Sequence, residues 1–408
     1  MCYNQEKENE GAFLLKILFY RYGSLTEPDL ISAMHTMGFT VSEFTEEIHN
    51  KNYPPQQAIA DVDRRLQKEP CDFIFSINFF PFLSEVCSIY HIPYLSWTVD
   101  SPVFELYTRS IKNPYNRTFI FDRTEYETVH AISPDTTFYL PLGANVSGKQ
   151  KLFEQTSEEE ALRFSHEIAF VGSLYTEKNP YRRIQNLSER TRGYLDGIMK
   201  AQENVYGGYV IDHLLSDEIV AECKAALPGF YQPPEGAFID DRSILSLLYI
   251  GSQITAMERT DTLAALSELF DVTIYTGSDT YAMPKIHNLG LAKTLTEMPL
   301  IFRCSNINLN FTSKSIRSGL PLRIFDILSC GGFCLTNYQT ELYDLFTPGE
   351  DLAVYGSQEE LVDLIRYYQA HDKERREIAR AGYEKVASRY TWEDRLGELF
   401  LTAYGDHR

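Results

Sequence analysis

Short apolar runs alternate with longer stretches of helical spacing along the chain, and the alternation falls into two series. In the first series Leu14–Tyr20, Phe39–Phe44, Asp72–Ile77, Ile92–Trp97, Thr118–Phe121 and Thr137–Leu140 read as strands. Between them one helix stops at Met37 before Gly38, one spans Gln56–Lys68 behind Pro54-Pro55, and one follows Pro81. Residues from Pro141 to about His166 read as a linker, with Glu158, Glu159 and Glu160 a solvated face. The second series opens with EIAFVGS from Glu167 and resumes at Asp271–Tyr275, Lys285–Leu289, Asn306–Phe311, Phe333–Thr336 and Asp351–Tyr355. Residues 181–250, helical in pattern but broken by Gly207-Gly208 and by Pro228–Gly236, read as an insertion into that series. Glu359–Tyr390 is helical with a break near His371, and Thr391 caps a last helix that starts Trp392-Glu393-Asp394. Residues 1–12 read as a loose leader.

Strands alternating with helices at this spacing predict parallel sheets. The chain therefore divides into two Rossmann-like α/β domains, 1–150 and 151–390, with 391–408 a helix packing back toward the first domain. Two such domains enclose a cleft. Open α/β sheets bind ligands beyond the carboxyl ends of their strands, so the useful residues belong in loops just after strands. No GxGxxG follows the first strand, which disfavours a nicotinamide or flavin cofactor; none is expected.

Composition narrows the partners. Of 408 residues 44% are hydrophobic, enough for two packed cores. The formal charge of -19 argues against nucleic acid and anionic membrane surfaces as generic partners. The seven cysteines form no CxxC pair and read as small buried hydrophobes in a reducing cytoplasm. The nine histidines form no HExxH or HxH set, so no metal site is indicated. The polar N-terminus and the absence of a run of about 20 apolar residues predict a cytoplasmic protein without a transmembrane segment.

The richest stretch is SNINLNFTSKSIRSGLPLRIFDILSCGGFCLTN, from Ser305 to Asn337. Alternation at Ile307, Leu309 and Phe311 gives a strand, Pro321 opens a helix, and Cys330-Gly331-Gly332 closes it before another strand. The helix start near Gly319 and Pro321 gathers unpaired N–H groups suited to a phosphate, with Arg317 and Arg323 beside it. Arg323 is equally placed for an i,i+3 ion pair with Asp326. This stretch resembles the donor-sugar motif of GT-B glycosyltransferases of the "glycosyl transferases group 1" kind, and within it the spore-maturation and protein-glycosylating branch, which often carries a helical insertion. Asp326 matches the motif's second Glu, and Ser318 stands where the first Glu would be.

The resemblance extends over most of 167–400 and implies a donor site. Gly172 and Ser173 match the loop lying against the donor diphosphate, with Lys178 its cation and Arg182 the fallback. Thr276 and Gly277 would approach the donor, the backbone at Gly290 and Leu291 would read the nucleobase, and Thr312 would follow the next strand. Arg317, Ser318, Gly319 and Arg323 would surround the phosphate, and Asp326 would hold the ribose. In the first domain Trp97-Thr98-Val99-Asp100-Ser101-Pro102 is similar to the W-x-x-D-S-P of that branch. Asp100, half-buried beside Trp97, reads either as a general base with a raised pKa or as the cap of the following helix. Asn78 and Trp97 are acceptor-binding candidates, and Asp122 and Arg123 rank behind them. The expected activity is metal-independent transfer of a sugar from a nucleotide-sugar, UDP-linked by preference, to a hydroxyl on a protein or glycan. The alternatives are a nucleotide-sugar epimerase on the same fold or a two-domain binding protein without catalysis.

Overall fold

A computed structural model describes residues 15–50 and 52–405; the leader at 1–12 and Cys2 lie outside the described residues. The strands are β1 (Lys16–Tyr20), β2 (Thr40–Phe44), β3 (Phe73–Ile77), β4 (Tyr94–Trp97), β5 (Asn116–Ile120) and β6 (Thr137–Tyr139), then β7 (Ile168–Val171), β8 (Val272–Tyr275), β9 (His287–Asn288), β10 (Ile307–Asn310), β11 (Cys334–Asn337) and β12 (Ala353–Tyr355). They form two six-stranded sheets ordered β2-β1-β3-β4-β5-β6 and β12-β11-β10-β7-β8-β9, and every pairing is parallel. Helices cover both faces, so β3, β4, β7, β8 and β10 are buried throughout. This is the two-domain α/β fold expected, with the helical insertion in the second domain. The strand order reverses between β1 and β3 in the first sheet and between β7 and β10 in the second, and ligands of such sheets sit at that crevice.

The insertion lies between β7 and β8 as Glu189–Glu203, Ile211–Leu214, Asp217–Ala226 and a rod of Asp241–Ile244, a π-type turn Leu245–Ile250 and Gly251–Ser267. It has its own core, in which Leu195, Met199, Cys223 and Ile254 enclose Phe104 from the first domain. The Phe238 N–H donates to the Tyr107 carbonyl at 2.7 Å, a second tie to that domain. The last helix, Trp392–Tyr404, lies on the first sheet: the Trp392 ring meets Trp97 edge-on at 5.3 Å, and Phe400 meets Phe39 at 4.7 Å.

Three details differ from the sequence reading. The linker is partly helical, Val146–Gln155 and Glu158–Leu162, because Asn145 and Ser157 cap both segments. β9 shortens to two residues at an exposed edge, where few side chains are available to bury. Residues Phe104–Tyr107 form a single tight turn preceded by Val103, so Asp100 caps no helix.

A further contact between the domains is the seam around Asp122. Asp122, fully buried, caps its own helix through the Thr124 N–H. Its carboxylate also accepts from the Arg317 N–H at 2.8 Å and from the Ser318 hydroxyl at 2.8 Å. A Cβ at Gly319 would come within 2.8 Å of the Asp122 Cα, so only glycine lets the two backbones approach this closely. Arg123 pairs with Asp344 at 2.6 Å across the same seam.

Candidate functional site

A cleft of about 1030 Å³ opens between the carboxyl ends of the two sheets. Its second-domain wall is built from the loops after β7, β8 and β10 and from the start of the helix Leu322–Ser329. That helix begins at Pro321 with no side-chain cap, which leaves its first N–H groups to the cleft. Leu25, Asp29, Asp100 and Asn145 face it from the first domain.

Of the expected donor residues, Gly172, Ser173, Lys178, Gly277, Leu291, Arg323 and Asp326 line this cleft. Gly290 adopts φ +80° just before Leu291, a conformation glycine suits. The others do not line it. Thr276 is buried and bonds Ser278 at 3.1 Å. Thr312 is buried, its N–H held by the Asn337 side chain at 2.7 Å. Arg317, Ser318 and Gly319 belong to the seam with Asp122, because the helix starts only after Pro321 and the preceding residues turn back to the first domain. Arg182 sits on the short turn Pro180–Arg183, outside the cleft lining.

Cations gather on the second-domain wall. Arg323 makes the i,i+3 pair with Asp326 at 3.4 Å and lies over the Phe302 ring at 5.2 Å. Asp326 is shared with the Lys149 ammonium at 3.0 Å, which also donates to Ser329 at 2.7 Å. Arg259 donates to the Ser173 carbonyl at 2.5 Å and to the Phe311 carbonyl at 2.6 Å, joining the two loops that flank the β7–β10 crevice. Its Nε is enclosed without a hydrogen-bond partner, and burial pushes its pKa down, as does the charge of Arg323. Glu177 accepts from Ser278 at 2.7 Å and Ser173 at 2.8 Å; despite some burial, these hydroxyls hold it down to about 2 and bind the β7 and β8 loops together.

On the opposite wall Asp100 is exposed, not half-buried, and its carboxylate accepts from Asn78 Nδ2 at 2.8 Å. The Asn78 amide also donates to the Tyr22 hydroxyl at 3.0 Å and accepts the Val99 N–H at 3.1 Å, so it positions Asp100 and does not reach out to a ligand. Trp97 is fully buried and donates to the Leu140 carbonyl at 3.3 Å; it cannot meet an acceptor. The Ser101 carbonyl accepts from the Ser315 hydroxyl at 3.1 Å, which brings the Asp100 loop against the loop after β10. Asp122 and Arg123 hold the seam and do not line the cleft. Among the described residues no three His, Cys, Asp or Glu side chains converge as ligands of a metal would.

The sequence reading missed Arg259, Lys149 and Asp29. Arg259 looks like any arginine of an amphipathic helix, and Lys149 lies in the stretch taken for linker. Only the tertiary contacts show that Lys149 is buried and that Arg259 spans two loops.

Residues 259–400 match a family model described as glycosyl transferase-like. No curated protein matches the chain. Solved structures do match over nearly the whole length. A glycosyltransferase from Rickettsia africae ESF-5 aligns with 97% of this chain and 100% of its own at TM-score 0.54 and 10% identity. Sucrose-phosphate synthase from Thermosynechococcus elongatus aligns with 96% of this chain and 99% of its own at TM-score 0.55 and 11% identity. Anabaena HepE, in complex with UDP-glucose, aligns with 95% of this chain and 99% of its own at TM-score 0.52 and 12% identity. At these identities the likeness is one of fold: the chain has the GT-B architecture, and residues 259–400 are similar to the glycosyl transferase-like family.

Proposed function

We propose that the protein is a glycosyltransferase that moves a sugar from a UDP-sugar, held by the second domain, to a hydroxyl presented by the first. The observation that supports it most is the convergence of Arg259, Arg323, Lys178 and the uncapped start of Leu322–Ser329 on the crevice between β7 and β10. Those groups suit a diphosphate. Anabaena HepE, of the same fold, holds UDP-glucose, and residues 259–400 are similar to the glycosyl transferase-like family.

In this reading Gly172, Ser173, Gly277 and Leu291 surround the nucleotide and Asp326 takes the ribose. Asp100, aimed by Asn78, accepts the proton of the acceptor hydroxyl as its oxygen attacks the anomeric carbon. The bond to the diphosphate breaks, UDP leaves with the electron pair, and the side-chain cations and helix N-terminus stabilise its charge in place of a divalent ion. A protein or glycan hydroxyl is the acceptor, with protein preferred on the branch resemblance of the Asp100 loop.

The test is UDP release from a panel of UDP-sugars. Release from at least one, undiminished by chelator, supports the reading. Sugar binding with no release from any donor, with or without an added acceptor lysate, overturns it.

A further inference from the structure

Two buried lysines, Lys149 on the cleft lining and Lys314 behind it, each meet a carboxylate that neighbours a cleft arginine. Lys149 holds Asp326, three residues beyond Arg323. Lys314 holds Glu258, the residue before Arg259, at 3.1 Å. The second pair lies off the cleft lining and is almost wholly enclosed, with side-chain exposures of 7% and 1%. The Lys314 ammonium also donates to the carbonyls of Glu203 and Val205, both at 3.3 Å, and lies 4.2 Å from the centre of the Tyr206 ring. All three belong to the insertion. Its N–H is held by the Thr255 hydroxyl at 3.0 Å, one turn before Glu258 on the same helix.

Adjacent helix residues point about 100° apart. Glu258 and Arg259 therefore face different loops, yet they remain close enough to interact: Glu258 raises the Arg259 pKa and Arg323 lowers it. Burial pushes the Glu258 pKa up and the Lys314 ammonium pulls it down. A Glu258 carboxylate ionised without that cation would draw the Arg259 guanidinium away from the Ser173 and Phe311 carbonyls, or cancel its field at the cleft.

We propose that Lys314 is a positioning residue: it neutralises Glu258, and so leaves the Arg259 charge to an anion in the cleft, namely the diphosphate of the nucleotide-sugar. The inference rests on reading the cleft as a diphosphate site. It assigns the helical insertion a part in donor binding, because the lysine's other partners are insertion carbonyls. Lys149 plays the same part toward Asp326 and Arg323.

The two members of one ion pair should then act with opposite sign, which a purely structural pair would not do. UDP is titrated calorimetrically into the wild type, Lys314→Met, Glu258→Gln and the double variant, with thermal melts as the folding control. Lys314→Met should weaken UDP binding about tenfold or more. Glu258→Gln should leave it unchanged or tighter, and the double variant should return to within about threefold of wild type. Equal weakening by both single variants, an unaffected Lys314→Met, or no recovery in the double variant overturns the proposal. If Lys314→Met does not fold, Glu258→Gln decides alone: a tenfold loss refutes the charge role, and unchanged or tighter binding supports it. A wild type that binds no UDP removes the functional reading first and this proposal with it. Binding without the opposite signs removes this proposal only.

Discussion

Asp100 and Asp29 both line the cleft from the first domain, each held by a side-chain amide, Asn78 and Asn145, at 2.8 Å; of the two, Asp100 is the exposed carboxylate. Asp100→Asn keeps the size and loses the base, so turnover should fall about 100-fold or more while UDP affinity holds, read as kcat against calorimetric Kd. Full activity in that variant removes Asp100 from the chemistry. Asp326→Ala should weaken UDP binding, with unchanged affinity refuting a ribose role. A different residue governs stability. Glu125 is buried near the seam with one oxygen lacking a partner, and burial and the charge of Asp122 push its carboxyl up to about 8. The unfolded chain loses this proton near pH 4.5, whereas the folded one keeps it to about 8, so folding binds the extra proton and stability falls as pH rises through that window. Melting temperatures from pH 5 to 9 should decline in the wild type and decline less in Glu125→Gln. Parallel curves would show that Glu125 is not the titrating group.

At the scale of elements, the sequence carried most of the architecture and a part of the site. Alternating apolar runs mark strands buried on both faces, and Gly38, Pro81 and Thr391 punctuate the helices where caps and breaks were expected. The helix Leu322–Ser329 and its arginine were legible for the same local reason: Pro321 and Arg323 sit within one turn. Trp97 was misread because an aromatic at a strand end looks like a sugar platform until the last helix covers it with Trp392. Arg317 to Gly319 were misread because a phosphate loop and a domain seam use the same small and basic residues. Nothing local distinguishes Arg259 or Lys149, whose roles come from partners far away in sequence. Close packing between elements gives its own prediction. A Cβ at Gly382, in the helix Asp372–Arg389, would sit 2.2 Å from the Asp351 carbonyl oxygen and 2.8 Å from Leu328. Gly382→Ala should destabilise by about 1–3 kcal/mol, seen as a lower denaturant midpoint. An unchanged midpoint would mean that the segment before β12 yields freely.

Across the whole molecule, the two sheets are tied at several places around the cleft: the Asp122–Ser318 seam, the insertion against Phe104 and Tyr107, and the last helix on the first sheet. The second-domain wall of the cleft carries Lys178, Arg259 and Arg323 together with Glu177 and Asp326, and Lys149 pairs with Asp326 there, whereas Asp29 and Asp100 line the other side. In the proposed reading these cations take the leaving diphosphate, and the hydroxyl comes from the first domain. Its most direct test compares UDP with uridine by calorimetry, in the wild type and in Arg259→Met/Arg323→Met. The wild type should bind UDP at least about tenfold more tightly than uridine, and the double variant should bring UDP down to the uridine level. Equal affinity for UDP and uridine in the wild type, or a double variant that keeps the difference, would contradict the assignment of the diphosphate to these arginines.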